Sequence, residues 1–265
     1  IAAEGERPKN GRSNHREASM TTITVSPGDL PLQCLYRWET ERGPQIYLTQ
    51  PTGGGVVLDI TWAQAAQQVR SMAGWLQSQG WPRGSRVAII GKNSAHWILA
   101  DLAIVMAGYV SVPIYPTFNA EALAYILAHS EARALFVGKM DDIANINHGV
   151  PADLPMVALP LAPALAARQW ADLVKNTAPL GGQPVADGDQ ISTIIYTSGT
   201  TGQPKGVVHT FNTMAWGVSS ATQRVHMDVH DRYISYLPLA HVAERMLVEQ
   251  ASLRYGGRIF FAESL

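Results

Sequence analysis

The chain has 265 residues, enough for one large domain or two small ones; 46% are hydrophobic and 15% charged, the balance of a globular protein with a sizeable core. A formal net charge of -1 gives no electrostatic footprint for a nucleic-acid partner. The single cysteine, Cys34, excludes an internal disulfide framework and fits a reducing compartment, so a cytoplasmic location is expected.

Residues 1–19 are polar and charged, with no apolar stretch behind their Arg and Lys residues; this is not a signal-peptide pattern, and the composition predicts a disordered tail. The first methionine is Met20, where patterned sequence begins, and Ile259–Leu265 stops just after a strand-like segment. The expectation is a partial reading frame: translation starting at Met20, and residues 20–265 forming a domain whose carboxyl-terminal part is missing.

Cys34 precedes an amphipathic start, Leu35–Trp38, with no matched base nearby, and reads as a small buried apolar side chain rather than a nucleophile. Ile46–Thr49 and Val56–Ile60 read as the arms of a hairpin turned by Gly53-Gly54-Gly55. That run begins like a dinucleotide fingerprint, but Leu58 stands where the third glycine is required. Thr61–Gln79 is the clearest helix: Trp62, Ala65, Ala66, Val69, Met72, Ala73 and Leu76 share one face, Thr61 suits the N-cap and Gly80 the stop. A strand at Arg86–Ile90, a helix at Ala95–Ala107, a strand at Tyr109–Pro113, a helix at Ala120–His129 and a strand at Ala134–Val137 follow. The apolar run Trp97–Val110 is interrupted by Asp101 and Gly108 and is too short to span a bilayer, so it reads as a buried helix. Strands alternating with helices define an α/β fold of βαβ units with mostly parallel sheets.

Pro151–Asp187, rich in Pro, Ala and Leu, reads as a surface connection with one short helix near Ala164–Val174. Regular pattern returns with a strand at Ile191–Tyr196, a helix from about His209 to Ala221, a strand at Tyr233–Tyr236, a helix at Val242–Tyr255 and a strand at Arg258–Phe261. His226 and His230, with Asp228 between them, have the spacing of a helical metal pair, but their surroundings read as a polar loop where that spacing has no geometric meaning. No metal site is predicted. The chain contains no Gly-x-Ser-x-Gly elbow of a serine hydrolase.

The chemistry concentrates in Thr197-Ser198-Gly199-Thr200-Thr201-Gly202-Gln203-Pro204-Lys205, which leaves directly from an apolar strand. Glycines let backbone N–H groups approach anionic oxygens, hydroxyls donate to them, and a lysine adds a mobile point charge. The frame is not that of a Walker A loop: counted from Gly199 the second glycine position is Pro204, and counted from Gly202 Lys205 comes too early.

Tyr196 to Gly206 resembles the signature loop of the adenylate-forming (AMP-binding) superfamily, without departures. Val87–Trp97 (VAIIGKNSAHW), Ala107–Thr117 (AGYVSVPIYPT) and Ala124–Val137 (AYILAHSEARALFV) are similar to the family's early segments. Tyr236-Leu237-Pro238-Leu239-Ala240-His241-Val242-Ala243-Glu244-Arg245-Met246 resembles its fourth motif in the form typical of long-chain fatty-acid–CoA ligases. The resemblance implies the amino-terminal part of an acyl-CoA synthetase-like adenylation domain. It implies two half-reactions: a fatty acid and Mg-ATP give acyl adenylate, and coenzyme A then displaces AMP. Thr197, Ser198, Gly199, Thr200, Thr201, Gly202 and Lys205 would hold the leaving phosphates, with Lys205 and His241 catalytic. His241, Glu244 and Arg245 would border the acyl site, although adjacent opposite charges at a helix start are commonly solvated or paired locally.

The resemblance places the Mg²⁺ ligands, the ribose-binding aspartate and the lysine assisting adenylation beyond this stretch, so the piece alone is expected to be inactive. No transmembrane segment is predicted, and peripheral contact with a membrane is compatible with such a substrate. Two other readings stay open from sequence: the adenylation domain of a peptide or polyketide synthetase, and a non-catalytic pseudoenzyme or interaction module.

Overall fold

The computed structural model describes residues 25–197 and 203–263. The predicted tail at 1–19 lies outside the described residues. A 3-10 turn at Pro27–Asp29, capped by Ser26, leads into α1 (Pro31–Arg42). The hairpin β1 (Ile46–Gly53) and β2 (Val56–Thr61) then turns at Gly54-Gly55. α2 (Trp62–Ser78) starts on the predicted N-cap: Thr61 Oγ1 accepts from Gln64 N at 3.2 Å, and Gln64 Oε1 accepts from Thr61 N at 2.9 Å. This reciprocal box satisfies two helix-end donors at once.

β3 (Arg86–Ile90), α3 (Ala95–Met106), β4 (Val110–Ile114), α4 (Ala120–His129) and β5 (Leu135–Val137) follow as the periodicity requires. α3 is buried on every side, which explains why its sequence is apolar all round rather than amphipathic. The stretch expected to be a surface connection does more than connect. After α5 (Ala144–Gly149), β6 (Met156–Ala158) and β7 (Arg168–Gln169) extend a sheet, and the short helix is α6 (Trp170–Asn176). Strands of two or three residues are too short to show alternation, so pattern reading passes over them.

The carboxyl-terminal third holds β8 (Ile191–Thr197), β9 (Lys205–Thr210), α7 (Phe211–Thr222), β10 (Arg232–Ser235), α8 (Val242–Glu244), α9 (Ala251–Tyr255) and β11 (Arg258–Phe261). A π-helical turn, Arg245–Gln250, joins α8 to α9 without a break. The helix expected from about His209 begins instead at Phe211, and Lys205–Thr210 forms an antiparallel strand. Val207 and Val208 are both exposed, at 43% and 53%, so this edge strand shows no alternation of buried and exposed apolar residues.

The strands form two sheets. The larger has the order β7-β6-β5-β3-β4-β8-β9 and is parallel except for β8–β9. The smaller, β10-β11-β1-β2, is parallel except for the β1–β2 hairpin. The main apolar core includes Trp62, Trp97, Trp170 and most of α2 and α3, and Tyr47 stacks on Trp62 with ring centroids 3.7 Å apart. A second cluster lies between β3, β4, β5 and α4. Among the described residues, no helix is long and apolar enough to cross a membrane.

α9 ends at Gly256 in the left-handed conformation, φ +78°, and a Cβ there would lie 2.9 Å from the Trp38 ring. Trp38 is itself fixed by its indole N–H donating to Leu253 O at 2.5 Å. Both backbone and space therefore require glycine. Gly256→Ala is expected to lower unfolding stability by roughly 1–3 kcal/mol, read from the midpoint of urea denaturation.

Candidate active site

The hydroxyl-rich motif Thr197–Lys205 connects β8 to β9, which pair as an antiparallel hairpin. The two strands are paired from Ile191–Thr210 at one end to Thr197–Lys205 at the other, so Thr197 and Lys205 face each other at the mouth of the loop. Both are exposed. Ser198, Gly199, Thr200, Thr201 and Gly202 lie outside the described residues. β8 runs parallel to β4, and the loop leaves from its carboxyl end, the edge at which open α/β sheets bind ligands. Below the loop, Tyr196 is buried and its hydroxyl lies 2.7 Å from His129 Nδ1. Gly206 sits opposite Tyr196, and a Cβ on it would meet Ile194 at 2.9 Å and the Tyr196 ring at 3.2 Å. Cross-strand crowding, rather than approach to an anion, is what requires this third glycine of the motif.

His241 ends the loop after β10 and caps α8: its Nδ1 accepts from Ala243 N at 3.1 Å. A ring whose Nδ1 accepts carries its proton on Nε2 when neutral. The side chain is exposed, so Nε2–H is free to donate outward. The segment is seated through α7, where Met246 packs directly over Gly217; a Cβ on Gly217 would lie 2.6 Å from Met246 Cε. Lys205 on β9 and the His241 segment are thus linked through α7, which packs against both β9 and the π-helical turn.

Glu244 and Arg245 are neither solvated nor simply paired with each other; both are only 2% exposed. Glu244 Oε1 accepts from Ser235 Oγ at 2.8 Å and Tyr236 N at 3.0 Å. Burial pushes its carboxyl above the usual range, with those two donors pulling the other way. The Arg245 guanidinium donates to Asp101 Oδ2 at 2.5 Å, Thr193 Oγ1 at 2.7 Å and Glu249 Oε2 at 3.3 Å, and lies 5.6 Å from the Trp97 ring centroid. With their polar atoms turned to protein partners, both side chains are placed to hold the His241 segment rather than to meet a ligand.

Asp101 is the residue that sequence reading undervalued. It registers there only as an interruption of an apolar run, yet that interruption was the signal: a charge inside a buried helix needs a partner. The partner, Arg245, is 144 residues away. Cys34 is buried as expected, and burial pushes its thiol up to about 11, so it stays protonated. His226, Asp228 and His230 lie in the α7–β10 loop, with His226 almost fully exposed. Among the described residues, no group of three or more His, Cys, Asp or Glu could hold a metal ion. A cavity of about 370 Å³ lies between Tyr109, Ile191 and Phe211, at the amino end of β8 and away from the loop.

Residues 50–265 match the family described as AMP-binding enzyme, and the chain belongs to that family. It is 32% identical over 228 residues to the long-chain-fatty-acid–CoA ligase ACSBG2 of Xenopus laevis, covering 77% of this chain and 30% of that protein. It is 34% identical over 248 residues to the long-chain-fatty-acid–CoA ligase FadD15 of Mycobacterium bovis, covering 88% of this chain and 40% of that protein. The chain therefore spans well under half the length of these curated relatives. Among solved structures, acetoacetyl-CoA synthetase from Streptomyces lividans superposes with a TM-score of 0.76 at 22% identity, over 88% of this chain and 38% of that one. The shared fold is that of the amino-terminal region of adenylate-forming enzymes.

One guanidinium faces two buried carboxyl groups, and Asp101 Oδ1 and Glu249 Oε1 are both left without a donor. A proton on Glu249 resolves this, and its carboxyl is held well above the usual range by burial and by the adjacent Asp101. The folded protein therefore binds this proton more tightly than the unfolded chain. The stability it adds is complete below the unfolded carboxyl range and declines as pH rises toward the folded value. Glu249→Gln is expected to remove that decline, so the variant gains on the wild type between pH 5 and pH 8 in paired urea titrations. Arg245→Met, which strands Asp101, is expected to lose about 3–5 kcal/mol in the same assay.

Proposed function

We propose that the protein carrying this region is an AMP-forming long-chain fatty-acid–CoA ligase. The fatty-acid carboxylate attacks the α-phosphorus of ATP; the bond to the β-phosphate oxygen breaks and pyrophosphate leaves. The thiolate of coenzyme A then attacks the acyl carbonyl, and AMP leaves with the bonding electron pair. The observation that carries this reading is the registered hairpin, which pairs Lys205 with Thr197 at the mouth of a hydroxyl-rich loop. Fixed donors aimed at charge that develops as pyrophosphate departs are the main protein contribution to such a transfer. Mg²⁺ accompanies ATP in chemistry of this class, and among the described residues no group of three or more His, Cys, Asp or Glu gathers for it. This region contributes the lysine and the loop donors instead.

The acyl end of the reading rests on the surroundings of His241. Its free Nε2–H suits a carboxylate acceptor. Tyr236, Leu237 and Leu247 on the same segment are 52%, 41% and 46% exposed, and Trp216 on the adjoining α7 is 50% exposed. Large apolar side chains left open beside a carboxylate donor suit a fatty acid better than a polar amino acid. The two ligases from frog and mycobacterium support the same choice.

In the complete gene product, Lys205→Ala and Thr200→Val are expected to slow acid-dependent pyrophosphate release about a hundredfold, the usual effect of losing one transition-state donor. Thioester formation from supplied acyl adenylate should change little, because pyrophosphate is gone by then. Equal losses in both half-reactions would contradict the assigned role. Substrate class is read from kcat/KM along a series from acetate to palmitate. Each buried CH₂ contributes about 0.8 kcal/mol, so four methylenes are expected to raise kcat/KM roughly a hundredfold. A maximum at acetate or butyrate, or with an amino acid, would refute the long-chain assignment and leave the adenylation role to the first test.

A further inference from the structure

The loop that ends in His241 belongs to the smaller sheet, and the phosphate loop belongs to the larger one. Side chains from the β3–α3 turn reach across between them. Asn93 Nδ2 donates to Leu237 O at 2.6 Å and to Ser235 Oγ at 2.8 Å, while Asn93 Oδ1 accepts from Leu239 N at 2.8 Å. The amide thus engages backbone groups on both sides of Pro238, within four residues of His241. Glu244 completes the junction from the other direction through Ser235 Oγ and Tyr236 N.

The turn that presents Asn93 is itself well anchored. Lys92 N donates to Lys139 O at 2.7 Å, Lys92 Nζ pairs with Asp141 at 2.7 Å, and Ala95 N donates to the buried Gln50 side chain at 2.9 Å. Ser94 caps α3 through Trp97 N at 3.3 Å. A fixed turn from one sheet therefore grips a loop of the other through a single side-chain amide. Only a group with both a donor and an acceptor on one short stem makes this set. Aspartate keeps the acceptor for Leu239 N but turns an anion toward Leu237 O and Glu244; alanine loses all the bonds.

We propose that Asn93 is a positioning residue: by clamping Leu237 and Leu239 it sets where His241 stands relative to the phosphate loop, and so governs capture of the acid carboxylate. This rests on the proposed ligase reading for its consequence, but not for its geometry. Two measurements separate the two. The first is amide hydrogen exchange in wild type, Asn93→Ala, Asn93→Asp and Lys92→Ala. Exchange at Leu239 is expected to accelerate about tenfold or more in Asn93→Ala, which loses the half-buried bond from Leu239 N, and by less in Asn93→Asp, which keeps that acceptor. Lys92→Ala, which removes only a surface ion pair on the same turn, should leave it unchanged. The second is pyrophosphate release by the complete gene product. Both Asn93 variants should raise KM for the acid and lower kcat, each by about tenfold, with KM for ATP within about twofold of wild type. A merely destabilised fold would raise both KM values together or lower only the active fraction. Unchanged exchange at Leu239, or faster exchange with an unchanged acid KM, overturns the proposal. If the wild type releases no pyrophosphate with any acid, the ligase reading and the consequence drawn from it both fall, while the exchange arm still decides the clamp.

Discussion

A guanidinium taken out of water is the constraint around which this region is arranged. Removing an arginine from solvent carries a penalty of several kcal/mol, which is repaid only when its donors are met by well-placed acceptors. Arg245 meets that requirement with partners from three places: Asp101 on α3, Thr193 on β8 and Glu249 one helical turn away. Trp97 closes one side. Thr193 is itself fixed, its hydroxyl also donating to Ser111 O of the neighbouring strand at 3.0 Å. The helix capped by His241 therefore has one seat, and that seat is on β8, the strand from which the hydroxyl-rich loop departs.

The arrangement explains how two charged residues of the fourth motif are accommodated in the protein interior. Glu244 and Arg245 point their polar atoms into the protein, and the side chains left exposed near them are Tyr236, Leu237 and Leu247. The charges act on the backbone of the site, and the apolar residues shape its surface. A residue type in a functional motif need not face the ligand to be required by it.

Much of this was legible from local sequence because the information is local. The α2 N-cap at Thr61 and the glycine hairpin turn each lie within a few residues, and local sequence alone predicts them. The order of βαβ units follows from alternating periods. What escaped was non-local or too short. β9 shows no alternation because Val207 and Val208 are both exposed on an edge strand, so its reversal of direction could not be read. β6 and β7 are too brief to carry a period. The Asp101–Arg245 pair joins residues far apart in sequence, and no pattern within either segment names the other. Gly206 is required by Ile194 and the ring of Tyr196 across the hairpin, a contact that no spacing within the motif names.

The π-helical turn Arg245–Gln250 divides the last helix into two parts with separate attachments. α9 is moored through Leu253 to Trp38, whereas α8 is oriented by His241 and Glu244. A π turn accommodates one residue more than an α turn, and each residue advances a helix by about 100°. Loss of a single residue there would let the turn close to α geometry, with α8 and α9 both kept in their berths. A change of one residue in length at this point is thus absorbed by the turn, where in a plain α-helix it would swing the His241 face by about 100°.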